Sequence, residues 1–201
     1  MAVTDSIGNM GYEEEADVLA VRYESFSFAD AHRSILHLLP RAPATVIDIG
    51  SGTGRDAAAL AALGHRVTAI EPTKALLEHA VRLHPSQQIA WICDNLPALT
   101  KVSEQFDVVM LTAVWMHLDF QQRAAAMARV RALMSIGALL TITLRHGPVP
   151  RGRRMFDVMP EETIDLAANQ GLNCVLRLKE TDGVQNRPGV CWDRLAFMRE
   201  L

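Results

Sequence analysis

Cysteine is scarce: Cys93, Cys174 and Cys191 are the only ones in 201 residues, widely spaced and without a CxxC pair. That pattern excludes a disulfide framework and a thiolate zinc site, and no metal is expected. Cys93 and Cys174 lie within apolar segments and read as core thiols. Nothing approaches the roughly 18 consecutive apolar residues of a membrane-spanning helix, which excludes such a helix. The opening stretch MAVTDSIGNMGYEEEADVLA is acidic and lacks the basic start and apolar centre of a secretory leader. A cytoplasmic protein with no membrane association is therefore expected. Excess positive charge is missing too: 20 Lys and Arg stand against 23 Asp and Glu, for a formal charge of −3. No broad field attracts a phosphate backbone, and no nucleic-acid partner is expected. Repeats, low-complexity tracts and linkers are also absent.

What is present fits one folded unit, with 49% apolar and 21% charged residues. From residue 44 onward, apolar β-branched runs alternate with helical patterns, which predicts an α/β fold with a parallel sheet covered on both faces. The runs are ATVIDI (44–49), RVTAI (66–70), IAWIC (89–93), FDVVML (106–111) and ALLTITL (138–144). After Asp119, FQQRAAAMARVRALM predicts a helix with Phe120, Ala124, Met127 and Val130 on one face, and Gln122 is spaced to complete a cap with Asp119. Pro160, Glu161 and Glu162 start another helix that runs to about Gln170, with Gly171 just beyond it. LNCVLRLK (172–179) and VCWDRLAFM (190–198) follow as an antiparallel pair around the loop TDGVQNRPG. Residues 1–43 read as an N-terminal helical cap on a core spanning 44–201. Within the cap, EEEADVLAVRY and the segment from Ser27 to Leu39 form two helices, the second opened by Ser27 and Asp30.

The chemistry concentrates at VIDIGSGTGRDAAAL (46–60), a strand, three alternate glycines and a helix. Glycines there permit close backbone approach of a ligand. The spacing is GxGxG followed by Arg55, where a dinucleotide fingerprint places its third glycine. Glu71 ends the second strand about twenty residues on, where an acid accepts from both ribose hydroxyls or, more simply, precedes Pro72 at a helix start.

On these residues the chain resembles the class I S-adenosylmethionine-dependent methyltransferases, and the resemblance continues through Asp94, FDVVMLTAVWMHL and the final strand pair. It looks most like small bacterial members with GRDA after the glycines and WMHL after the fourth strand. The resemblance implies a single Rossmann-like domain whose seven-stranded, mostly parallel sheet ends in an antiparallel strand. It implies S-adenosyl-L-methionine as cofactor, S-adenosyl-L-homocysteine as product, and direct in-line transfer. Gly50, Ser51 and Gly52 would line the methionine portion, Glu71 the ribose, Pro72 and Thr73 the adenosine side, and Asp94, Asn95 and Leu96 the adenine. Asp56 is placed for the methionine ammonium, although acids also favour a first helical turn; Arg55 reads as a surface residue. Thr112 and Ala113 would contribute mainly backbone at the sheet's carboxyl edge.

The acceptor side is thinner. His117 is the candidate base, or else a histidine near a helix start beside Asp119. Trp115 stacks on a flat acceptor or the cofactor, or is buried against the cap. Arg145 and His146 stand at the sheet edge as candidates to grip an acidic acceptor, whereas Arg151, Arg153 and Arg154 read as an exposed loop. Arg187 is placed to face the same opening, and Tyr12 and Tyr23 to close over it. A small-molecule acceptor is expected for a monomer or homodimer. The competing readings are a non-catalytic S-adenosylmethionine or S-adenosylhomocysteine binding module and, against Arg55 and the antiparallel end, an NAD(P)-dependent oxidoreductase.

Overall fold

The apolar runs become strands because each can bury both faces of a parallel sheet, which needs near-continuous apolar sequence. A computed structural model describes residues 11–200; residues 1–10 of the expected cap, and Leu201, lie outside the described residues. Strands β1 (Thr45–Ile49), β2 (Arg66–Ile70), β3 (Ile89–Ile92) and β4 (Phe106–Leu111) form close to their expected limits. β5 (Met134–His146) is longer than expected and takes Met134 from the preceding helical pattern, with a register irregularity opposite Phe106 and Val108 absorbing the extra residues. β6 (Leu172–Thr181) and β7 (Cys191–Arg199) complete the sheet. The order is β3-β2-β1-β4-β5-β7-β6, with β7 antiparallel to both its neighbours.

Helices α1 (Ala16–Tyr23), α2 (Phe28–His32), α3 (Arg55–Ala62), α4 (Lys74–Leu83), α5 (Phe120–Leu133) and α6 (Pro160–Ala168) connect and cover the strands. Alternation along β1 and β4 splits the core. Ile47, Ile49, Val109 and Leu111 pack with Met127, Val130 and Leu133 of α5, while Val46, Val108 and Met110 pack with Ala57 and Leu60 of α3. α1 lies against α4 through Ala16, Leu19 and Leu76. Among the described residues, no helix is long and apolar enough to cross a membrane.

Four expectations are corrected. The helix expected over Ser27 to Leu39 stops at His32 and resumes only as a short 3-10 turn at Leu36–Leu38. His32 is drawn into a buried contact with Asp56, and tertiary contact here overrides local propensity. Asp119 and Gln122 do form a reciprocal cap on α5, but Phe120 is exposed and the buried face begins with Arg123, which pairs with Glu162 at 2.7 Å. Cys174 is exposed and Cys93 half-buried, since Cys174 lies on the edge strand β6, whose side chains are mostly solvent-facing.

Open α/β sheets bind ligands beyond the carboxyl ends of their strands where the order reverses, here between β1 and β4. β7 must hold β5 in place for that edge to stay aligned. Phe197→Ala, at a fully buried position on β7, is expected to cost about 3–5 kcal/mol, read as a fall in the urea midpoint. A change under about 1 kcal/mol would show that β7 is dispensable to the core.

Candidate functional site

A cavity of about 1050 Å³ opens at that reversal point, roofed by the N-terminal segment. Small-molecule pockets span about 300–1,000 Å³, so this cavity stands at the upper end of that range. Its floor is the glycine loop. Gly50 has φ 75°, and a Cβ there would stand 2.4 Å from Val114, so the loop can pack only as glycine. Gly52 has φ 57° and lies beneath the Tyr23 ring.

Glu71 organises this floor. Its Oε2 accepts from the Gly52 N–H and its Oε1 from the Thr73 N–H, both at 2.8 Å. Burial pushes the carboxyl up, while those two backbone donors oppose the shift. Each oxygen keeps a further lone pair for a ligand hydroxyl. Asp94 is tied similarly, accepting from the backbone N–H groups of Asn95 and Lys101 at 2.8 and 2.7 Å. Pro72, Thr73, Asn95 and Leu96 line the wall beside it, and Thr112 and Ala113 line the opposite one. Ala113 holds φ 60° and donates its N–H to Thr143 Oγ1 at 2.7 Å.

Asp56 lines the cavity but is already engaged by His32 at 2.6 Å and Arg55 at 2.7 Å. Burial raises its carboxyl, and the contacts with His32 and Arg55 outweigh that and hold it well below the usual range. Arg55 is therefore no surface residue; it also donates to the Tyr23 carbonyl and covers the Phe26 ring. Asp48 is the residue sequence reasoning passed over. It lines the cavity, is 1% exposed, and its Oδ2 has no hydrogen-bond partner. Burial and the neighbouring Asp56 push its carboxyl well up. The available signal was an acid inside the apolar strand TVIDI.

Across the cavity, His117 sits in the 3-10 turn Trp115–His117. Its Nδ1 lies 2.8 Å from the Arg154 carbonyl, which only accepts, so Nδ1 carries the proton. Nε2 then accepts from the Tyr12 hydroxyl at 3.0 Å. Burial, helped by Arg153 and Arg145, lowers the imidazole pKa and keeps that lone pair free of a second proton. Burial likewise raises both tyrosines, so Tyr12 and Tyr23 stay protonated.

Two expected residues face elsewhere. Trp115 is fully buried in the main core rather than in the cavity or against the cap, because the tight turn that aims His117 at the cavity aims Trp115 inward. His146 points away because it follows Arg145 on one strand and successive side chains alternate; it lies between Asp157 and Asp193. Arg145 and Arg187 do line the cavity. So does Arg153, expected in an exposed loop: it covers the Tyr12 ring at 3.9 Å and pairs with Glu15 at 2.7 Å.

Residues 46–137 match a family model described as "Methyltransferase domain". Solved structures with the same fold include a TehB-like SAM-dependent methyltransferase from Corynebacterium glutamicum. It is 19% identical, with TM-score 0.74, over 93% of this chain and 99% of that one. Another is the 1,6-didemethyltoxoflavin-N1-methyltransferase of Burkholderia thailandensis with its substrate and S-adenosylhomocysteine, 21% identical at TM-score 0.69 over 94% and 90%. A third is the magnesium protoporphyrin IX methyltransferase of Synechocystis PCC 6803 with bound SAM, 15% identical at TM-score 0.65 over 94% and 80%. A search of curated protein sequences finds no match. The chain shares the Rossmann-like fold of these SAM-dependent methyltransferases, and its residues 46–137 are similar to a methyltransferase domain.

The His117 environment sets a pH dependence. Its folded pKa lies below the ordinary 6.5, so as pH falls through that value the unfolded chain gains a proton first and stability is lost. The urea midpoint should drop between about pH 7.5 and about pH 5.5, and drop less in His117→Gln. An identical drop in the variant would assign the effect to other groups, such as the buried His65.

Proposed function

We propose that this chain is a methyltransferase that binds S-adenosyl-L-methionine on the Glu71 side of the cavity and passes its methyl group in line to a small-molecule acceptor on the His117 side. The observation that carries the reading is Glu71: a buried carboxylate, braced by one N–H from each flanking loop, that still turns lone pairs toward the cavity. Such an acid suits a vicinal diol.

The remaining cofactor contacts follow from position. Gly50, Ser51 and Gly52 lie against the methionine portion, Pro72 and Thr73 against the adenosine, and Asp94, Asn95 and Leu96 around the adenine. Thr112 and Ala113 bound the cofactor with backbone. Asp56 is engaged, so the ammonium falls to Asp48, whose unpartnered oxygen gains a cationic donor and ionises when it does. When bound, the cofactor supplies an electrophilic sulfonium methyl. The chain's own work is to hold an acceptor in line and keep water out.

His117 accepts the acceptor's proton at Nε2, with Nδ1 fixed on the Arg154 carbonyl so that the lone pair stays aimed. Tyr12 occupies that lone pair before an acceptor arrives and afterwards donates to the acceptor or moves aside. The cavity's size, the formal charge of −3 and the 1,6-didemethyltoxoflavin bound by the Burkholderia enzyme all support a small acceptor.

Two outcomes test the assignment. Glu71→Ala should weaken S-adenosylhomocysteine binding by about 1–3 kcal/mol in calorimetry, and unchanged affinity removes the ribose role. With an oxygen or nitrogen acceptor, His117→Gln should slow turnover by about 10²–10⁴-fold at unchanged S-adenosylhomocysteine affinity. A normal rate would take His117 out of the chemistry.

A further inference from the structure

The half-buried arginines around the cavity are matched to carboxylates: Arg55 to Asp56, Arg153 to Glu15, Arg187 to Asp182 and Arg194 to Glu180. Arg145 breaks the pattern. It stands at the carboxyl end of β5, lines the cavity and is 8% exposed, yet no carboxylate lies within ion-pair distance among the described residues. Its Nη2 donates to the Pro148 carbonyl at 2.9 Å, and its Nε is buried without a partner.

The nearby acid, Asp182, is not available to it. Asp182 is held by Arg187 through Nε and Nη2 at 2.8 and 3.0 Å, by the Arg187 N–H, and by the Trp192 indole N–H at 2.8 Å. Arg187, paired with Asp182, lies beside Arg145, and the two charges act on it with opposite sign, so neither supplies a direct counter-ion. A guanidinium buried without a counter-charge is costly, and in a cavity wall a ligand can relieve that cost. Its planar donors match two oxygens of one anion.

From this juxtaposition we propose that the acceptor carries an oxyanionic group, a carboxylate or a phosphate, which Arg145 binds with Arg187 beside it. The assignment rests on the methyltransferase reading above. Arg145 lines the same cavity as Tyr12 and His117, which puts the anion on the acceptor side. Binding through Arg145 therefore fixes the acceptor's orientation as well as its class.

The test uses the full chain saturated with S-adenosylhomocysteine and titrated with inorganic phosphate, benzoate and benzamide. Phosphate or benzoate should bind and the neutral benzamide should not; which anion binds more tightly identifies the phosphate or the carboxylate source. Arg145→Gln should weaken the bound anion by at least about tenfold while S-adenosylhomocysteine affinity stays unchanged, which also shows that the variant is folded. Arg145→Lys, which keeps the charge but not the paired donors, should fall between, and serves if the glutamine variant does not fold. Benzamide binding as well as benzoate, an anion affinity indifferent to both Arg145 substitutions, or no binding of either anion would overturn the proposal. If S-adenosylhomocysteine itself fails to bind the unsubstituted protein, the methyltransferase reading falls first, and this result is separable from loss of the anion alone.

Discussion

One carboxylate joins the two loops that floor the cavity. Glu71 reaches from the end of β2 to the Gly52 N–H in the loop after β1, while its other oxygen fixes the Thr73 N–H at the start of α4. Both loops are thereby tied to one charged group at the point where strand order reverses. The glycine loop can meet it only because Gly50 and Gly52 take left-handed backbone angles that a side chain would strain. Burial opposes ionisation of Glu71, so the two backbone donors and any ligand hydroxyls must share the work of stabilising its charge. The cavity walls inherit their spacing from this arrangement.

The opposite side is governed by positive charge. Arg145 and Arg153 act on a neutral imidazole whose proton is held on the nitrogen that faces a carbonyl. Cations near a histidine favour its neutral form, and here they act together with burial. The same charges that keep a basic lone pair available also leave one guanidinium without a counter-ion. The neutral imidazole and the guanidinium without an ion-pair partner thus share one electrostatic environment, set by where β5 ends and where the loop beyond it returns.

Much of this was legible in the chain. β-branched runs located the strands, the GxGxG spacing and Glu71 located one wall of the cavity, and the alternating end of the sequence announced the antiparallel strand. What failed did so where tertiary contacts decide. Arg145 and His146 are adjacent in sequence, and only the sheet's orientation shows that one faces the cavity and the other does not. Trp115 and His117 part in the same way across a tight turn. Asp48 was hidden by its setting in an apolar strand, Arg153 by a Pro- and Gly-rich loop that suggests exposure, and the break after His32 by a contact with Asp56 that lies 24 positions away.

Calorimetric titration with S-adenosylhomocysteine, alongside NAD and NADP, decides whether the cavity is built for S-adenosylmethionine. Saturable binding of S-adenosylhomocysteine at one molecule per chain, and none of either dinucleotide, is expected. Binding of NAD or NADP in its place would overturn the proposed cofactor and every contact proposed for it on the Glu71 side.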